Sequence, residues 1–439
     1  MVPVGDTVFA PATAPGRAAI AVVRVSGPQA GPALRALGGT LPSPRRARHA
    51  RLRDPETGTD IDDALVLWFP APRSATGEDV AEFQVHGSRA VLAALMAALA
   101  RQGLRLAEPG EFTRRAFFNG KLDLLQAEAI ADLTAAETEA QRRQALRQLA
   151  GTLGEVYRGW SARLLRLLAH LEAAIDFPDE DLPPELERQV ADETTALAAE
   201  IAAHLADQHR GERLRDGIAI AIVGPPNAGK SSLLNCLVRR EAAITSPVAG
   251  TTRDVIEVAI DLAGFPVVLA DTAGLRDSAD AIEQEGLRRA LARAGTAELR
   301  LFVFDAGRPA DAAGAAAWPA ADTLLVANKI DLSGDRAALP PGALPVSALT
   351  GAGVPALVDA LTRRLKADYD LAAPLLTRAH HREALETASQ ALLRSVTASF
   401  PELRAEDLRL AWRSLGRITG AVDVEDLLDV IFADFCIGK

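Results

Sequence analysis

The sequence predicts a multidomain α/β protein: an α+β domain at the N-terminus, an all-α domain, and a doubly wound α/β domain inserted into the all-α one. Three observations predict it. At 439 residues the chain exceeds what one hydrophobic core usually holds together. Its texture changes near Lys121 and again at Gly217. Past Pro374 it returns to the helical texture it had before Gly217, as expected when one domain interrupts another whose ends lie close together.

Up to about Leu106 strand-like runs dominate (AIAVVRVSG, DALVLWFP, VAEFQVHG), with one clear helix around Val91 to Arg101. From Lys121 the pattern is helical. Leu146, Leu149, Leu153, Val156, Trp160, Leu164, Leu167 and Leu171 recur at spacings of three and four, the stripe of one long amphipathic helix. PDEDLPPE ends it, and another helix runs to about His209. At Gly217 a buried strand, IAIAIVG, leads into a glycine-rich turn, and strand and helix signals alternate to about Lys366. The expected divisions are residues 1–119 (α+β), 120–215 and 371–439 (the two parts of the helical domain) and 216–370 (the inserted domain).

Composition narrows the function. A net charge of −10 argues against holding nucleic acid by bulk positive charge, so any RNA contact is local or shared with a partner. Basic clusters at Arg45, Arg46, Arg48, Arg51 and Arg53, and at Arg378, His380, His381 and Arg382, read first as solvated surface charge. Two cysteines, Cys236 and Cys436, make neither a disulfide scaffold nor a metal cluster and suit a reducing compartment. No signal peptide is visible, and the most apolar run, Ala90 to Ala100, is too short to span a bilayer. A soluble cytoplasmic protein is expected, with no membrane partner.

The strongest motif is GPPNAGKSS, Gly224 to Ser232, after an apolar strand and before the helix LLNCLV. Its backbone N–H groups suit phosphate, Lys230 reaches the β and γ phosphates, and the Ser231 hydroxyl suits Mg²⁺. DTAG, Asp271 to Gly274, follows the strand FPVVLA and offers an acid near the metal and a glycine amide near the γ phosphate. NKID, Asn328 to Asp331, follows TLLVA, and its carboxylate accepts two hydrogen bonds from guanine that adenine cannot supply. Sites built that way discriminate by roughly four to five orders of magnitude. Ser347, Ala348 and Leu349 are placed to back the base. Four elements in this order predict GTP binding in a Ras-like domain.

Hydrolysis needs a further account. Ras-like switches carry a water-orienting glutamine after DTAG, whereas here the residue is Leu275. Arg253 and Arg276 are arginine-finger candidates or ordinary surface residues. Asn227, with the switch segment Ser246 to Asp254, offers oxygen ligands to a monovalent cation near the phosphates, and Glu283 is able to hold a water.

The phosphate loop, GTTRD, DTAGLR, the split helical region, the segment PGEFTRRAFFNGKLDLLQAEAIADL from Pro109 to Leu133 and the terminal FCIGK together resemble the MnmE (TrmE) family, GTPases of tRNA wobble-uridine modification. The resemblance spans essentially the whole chain. It implies a folate-binding-like N-terminal domain that makes a homodimer, with Arg24, Glu82, Lys121 and Lys439 contacting 5-formyl- or methylene-tetrahydrofolate. It implies K⁺ at Asn227, Ser246, Val248 and Thr251, Mg²⁺ at Ser231 and Thr252, and Glu283 positioning the hydrolytic water. Around GTP it places Asn227, Ala228, Gly229, Lys230, Ser231 and Ser232; Ser246, Pro247, Val248, Ala249, Gly250, Thr251 and Thr252; Asp271, Thr272, Ala273 and Gly274; and Asn328, Lys329, Asp331, Ser347, Ala348 and Leu349. It further implies a heterotetramer with the flavoprotein MnmG, acting on carbon 5 of uridine 34 of tRNA. The departures are Pro225 at a variable loop position and Leu349 where lysine or arginine is common. From the residues alone, a checkpoint GTPase of RNA or ribosome assembly is the competing reading.

Cys436 lies in CIGK, which fits a prenylation box poorly because Gly438 is not aliphatic and Lys439 is an unusual last residue. Two readings stay open for it: a buried structural thiol, or a catalytic role at the one-carbon site to which the run VEDLLDVIFADF would deliver the tail.

Overall fold

The computed structural model describes residues 5–176, 184–207, 209–243, 257–271, 297–332, 339–369 and 375–422, together with Leu428, Ile431, Phe432, Phe435 and Gly438. They form two compact units, one of Met1–Ala131, Gln148–Ala198 and Thr387–Lys439, the other of Asp132–Arg147 and Ala199–Glu386.

The first unit is built on a sheet of strands β1 (Val8–Pro11), β2 (Ala18–Ser26), β3 (Arg48–Arg53), β4 (Asp60–Phe69), β5 (Val80–Gly87) and β6 (Arg105–Leu106), in the order β3-β4-β5-β2-β1-β6. Alternation along the central strands sends Val23, Val25, Ala81 and Phe83 into a core with Leu34, Leu37, Leu95 and Leu99 from helices Ala30–Gly38 and Arg89–Arg101. The opposite face meets a smaller cluster of Val8, Ala10, Ala107 and Phe112.

This unit has more elements than expected: the short strands β1 and β6, helix Glu111–Phe118, helix Ala30–Gly38 and strand β3. Helix Ala30–Gly38 is additional; the Gly31 and Pro32 in its first turn break the apolar periodicity that would have announced it. Strand β3 holds the second half of the arginine cluster, Arg48, Arg51 and Arg53: Ala50 and Leu52 point inward, while Arg51 and Arg53 point out and pair with Asp63 and Asp60 on β4.

The predicted single helix through Leu146 to Leu171 is two helices, Glu139–Leu149 and Thr152–Asp176. Gly151 separates them with φ +87°, a left-handed conformation that ends a helix at little cost. In the longer one, Leu153, Tyr157, Trp160, Leu164, Leu167 and Leu171 are buried. Glu172 on this helix pairs with Arg409 on helix Pro401–Thr419 at 2.8 Å.

The second unit carries a twisted sheet of β7 (Ile218–Val223), β8 (Ala242–Ala243), β9 (Glu257–Leu262), β10 (Phe265–Asp271), β11 (Leu299–Asp305), β12 (Thr323–Asn328) and β13 (Leu344–Pro345), ordered β13-β12-β11-β7-β10-β9-β8. Strands β10, β7, β11, β12 and β13 run parallel to their neighbours in that series, and β9 and β8 are antiparallel additions at one edge. Near-continuous burial of IAIAIV and LRLFVFD is what a sheet covered on both faces requires.

The second basic cluster is not solvated surface. His381 and Arg382 are buried; Arg382 bonds Asp207 at 2.7 Å and Glu212 at 3.1 Å, and Arg378 pairs with Asp132 at 2.7 Å. Buried cations need such partners, and a run of basic letters does not display carboxylates distant in sequence.

Candidate functional site

The phosphate loop leaves β7 and enters helix Lys230–Arg240. Gly224 has φ +140°, and a Cβ there would lie 2.0 Å from the Val303 carbonyl oxygen. Gly229 has φ +92°, and a Cβ there would meet the Asn328 side-chain nitrogen at 2.2 Å. Both positions exclude side chains, leaving a backbone cradle at a helix N-terminus, the geometry that suits an anion. Lys230 is buried, and its ammonium donates to the carbonyl oxygens of Gly224 and Pro225 at 2.9 Å, holding the loop folded over its own charge. Asn227 is exposed at φ +62°, uncommon for any residue with a Cβ.

The base side is assembled at the ends of β12 and β13. Buried Asn328 donates to the Ala228 carbonyl at 2.8 Å and accepts from the Ala348 N–H at 3.0 Å, joining three of the motifs through one side chain. The Ser347 hydroxyl donates to the Asp331 carboxylate. Lys329 pairs with Asp305 at 2.8 Å, and that hydrogen bond, with the Gly307 N–H, holds the Asp305 carboxyl below its usual value. Asp305, at the end of β11, was not anticipated from sequence. Leu349 is 85 % exposed. Strand β10 ends at Asp271. Thr272, Ala273, Gly274 and Leu275, the switch residues Ser246, Pro247, Val248, Ala249, Gly250, Thr251 and Thr252, and Arg253, Arg276 and Glu283 lie outside the described residues, as do Cys436 and Lys439.

In the first unit Arg24 and Glu82 are direct cross-strand partners, with an ion pair at 2.9 Å and the Arg24 guanidinium 5.8 Å from the centre of the Phe112 ring. Alternation puts them on the face opposite the main core. Glu82 lines a cleft of about 510 Å³ whose other walls include Lys121, Arg45, Arg73 and Phe69. The turn before β5 closes on Lys121 because Gly77 (φ +81°) leaves room: a Cβ there would sit 2.9 Å from that of Asn119. Asn119 donates to the Thr76 carbonyl at 2.7 Å.

Behind this turn lies a buried charge network. Arg115, 3 % exposed, bonds Glu111 at 2.8 Å, Glu78 at 3.2 Å and Asp6, while Arg105 bonds Asp6 at 2.8 Å and Glu111 at 2.6 Å. Burial pushes the Asp6 and Glu111 carboxyls up, but hydrogen bonds from the two arginines outweigh it and both titrate below their ordinary values.

The described residues near the end of the chain are docked. Leu428, Ile431, Phe432 and Phe435 are buried against Leu124 and Ala127, and Gly110 abuts Phe432. Gly438, φ +101°, lies on the backbone of Pro11, where a Cβ would be 2.0 Å from the carbonyl oxygen. Pro11 is next to Ala10, the β1 partner of Arg24, so the tail reaches the strand beside the Arg24–Glu82 pair. Arg45 and Arg73 were missed as cleft residues; the basic run that holds Arg45 also describes surface strand β3, and Arg73 stands alone between a proline and a serine.

A family model described as GTP-binding protein TrmE N-terminus matches residues 7–121, and one described as MnmE helical domain matches residues 124–436. A protein of Rhodospirillum rubrum named tRNA modification GTPase MnmE is 58 % identical over 99 % of both chains. The chain belongs to the MnmE family of tRNA modification GTPases. A Parvibaculum lavamentivorans protein of the same name is 58 % identical over 99 % of this chain and 100 % of its own, and one of Gluconacetobacter diazotrophicus is 53 % identical over 98 % of each. Family membership makes the chain a GTP hydrolase of tRNA modification and favours that reading over an assembly checkpoint. Among the described residues no helix is long and apolar enough to cross a membrane.

Proposed function

We propose that this GTPase is activated by potassium and acts with the flavoprotein MnmG, as a homodimer within a heterotetramer. In the cytoplasm it adds an aminomethyl or carboxymethylaminomethyl group to carbon 5 of uridine 34 of tRNA, drawing the carbon from 5-formyl- or methylene-tetrahydrofolate. The observation that carries the one-carbon half is the cleft that gathers Glu82 and Lys121, with Arg24 bonded to Glu82 and Gly438 seated on Pro11 of β1, the strand next to that of Arg24. Lys121 suits a glutamate carboxylate of the folate, and Glu82 suits ring N–H donors.

In the GTPase half, the loop from Gly224 to Lys230 fits triphosphate, since its glycines let the backbone pack against Val303 and Asn328 and bring a run of N–H groups to a helix N-terminus. Lys230 exchanges its two carbonyl partners for phosphate oxygens. Ser231 and Thr252 would hold Mg²⁺, and Asn227, Ser246, Val248 and Thr251 would hold K⁺; these cations supply positive charge to the phosphates that no assigned arginine brings. Asp331 reads guanine while Ser347 orients its carboxylate, and Glu283 positions the attacking water. Mass spectrometry of tRNA nucleosides from a strain lacking this protein tests the reading: the modified wobble uridines disappear, whereas their normal presence overturns it.

A further inference from the structure

The charge of the cleft exceeds what one carboxylate-bearing ligand needs. Its walls carry three cations, Arg45, Arg73 and Lys121, against one acid, Glu82, which is already bonded to Arg24. This local surplus sits in a chain of net charge −10. Among the described residues, neither Arg73 nor Lys121 has an acidic partner.

Arg45 is tied to the backbone of Arg73. The Arg45 guanidinium donates to the backbone carbonyl of Arg73 and lies 6.0 Å from the centre of the Phe69 ring, and the Arg45 N–H is fastened to the Trp68 carbonyl at 2.9 Å. A guanidinium has five N–H donors in a planar fork, so one donated to a carbonyl leaves others for carboxylates. Arg45 does this from φ +62°, a backbone conformation that favours glycine. An arginine kept at a glycine-like position on a cleft wall points to a task for its side chain.

Resting on the folate reading above, we propose that Arg45 and Arg73 form a carboxylate-reading rim that makes the cleft selective for polyglutamylated tetrahydrofolate. Lys121 takes the first glutamate, and the two arginines take carboxylates farther along the γ-linked chain. No bond is made or broken there. The contribution is to affinity, and because the arginines are exposed it is modest and sensitive to salt.

The test is titration of the full chain with monoglutamyl and triglutamyl 5-formyl-tetrahydrofolate. The wild type is expected to bind the triglutamate about three- to tenfold more tightly, as two exposed charge pairs allow. That ratio should fall towards one in Arg73→Gln, in Arg45→Gly and at high salt, while monoglutamate affinity stays near wild type. Arg45→Gly is chosen because glycine suits the backbone at that position, so an unchanged melting temperature beside a lost ratio separates a ligand role from a structural one. Equal affinity of the wild type for both probes overturns the rim and leaves the folate reading standing. Failure of both probes to bind overturns the folate reading and the rim with it. If the variants lose affinity for tRNA while keeping the triglutamate preference, the arginines serve RNA and the proposal is wrong.

Discussion

The side-chain amide of Asn328 donates to the carbonyl oxygen of Ala228 at 2.8 Å, so a residue of the base-reading motif fixes the shape of the phosphate loop. The same side chain accepts the Ala348 N–H. Asn328→Ala therefore strands a buried carbonyl and a half-buried N–H together, at a cost of about 1–3 kcal/mol. GTP and GDP affinity should both fall, roughly five- to 150-fold, in a titration with a fluorescent nucleotide. A loss confined to discrimination between guanine and adenine would mean the amide serves the base alone.

The nucleotide motifs were legible because each lies within a few residues and hangs from an apolar strand: β7, β10 and β12 coincide with IAIAIVG, FPVVLA and TLLVA. What sequence reading missed is non-local. Arg382 reads as surface until Asp207 and Glu212 are brought to it, and the Arg45–Arg73 wall forms only when the turn before β5 folds back. The break at Gly151 is different in kind. There the leucine period continues across a left-handed residue, so periodicity alone joins two helices that the backbone separates.

Cation dependence follows from Asn227 and Leu275. Hydrolysis should be about tenfold or more faster in KCl than in NaCl at equal ionic strength, and Asn227→Ala should abolish the difference. Equal wild-type rates in the two salts would sink the potassium assignment. Glu283→Ala should slow turnover strongly at nearly unchanged GTP affinity, because the residue acts on water and not on the nucleotide.

The buried network around Arg115 predicts both a mutant effect and an acid limit. Arg115→Leu removes the shared partner of Asp6, Glu78 and Glu111, and breaking a buried ionic cluster from one side costs about 3–5 kcal/mol. The folded Asp6 and Glu111 carboxyls titrate below their ordinary values of 3.8 and 4.5. Their stabilisation is thus fully present above those values and is lost as pH falls through the lowered, folded ones. Melting temperature measured against pH should drop below about pH 4 in the wild type and be flatter there in Arg115→Leu. Parallel curves for the two proteins would show that the network carries no such linkage.

The docked chain end gives the sharpest test of the one-carbon site. Gly438 lies against Pro11 so closely that a Cβ would fall 2.0 Å from a carbonyl oxygen, and its φ of +101° is itself unfavourable for alanine. Gly438→Ala must therefore displace the last residues while leaving Phe432 and Phe435 in their apolar seat against Leu124. If the tail completes the folate site, affinity for 5-formyl-tetrahydrofolate should fall about tenfold or more, as expected when a charged contact is lost, and tRNA modification should fail. GTP hydrolysis should persist, because the tail and the phosphate loop belong to different units. Cys436→Ser then separates the two roles open to the thiol. Serine nearly preserves its volume but is a far poorer nucleophile at neutral pH, so a catalytic thiol predicts retained folate affinity with lost modification. A packing thiol predicts a small change in melting temperature and near-normal modification. Should Gly438→Ala bind folate at wild-type affinity, the tail is no part of that site, and its docking on Pro11 serves the stability of the N-terminal sheet instead.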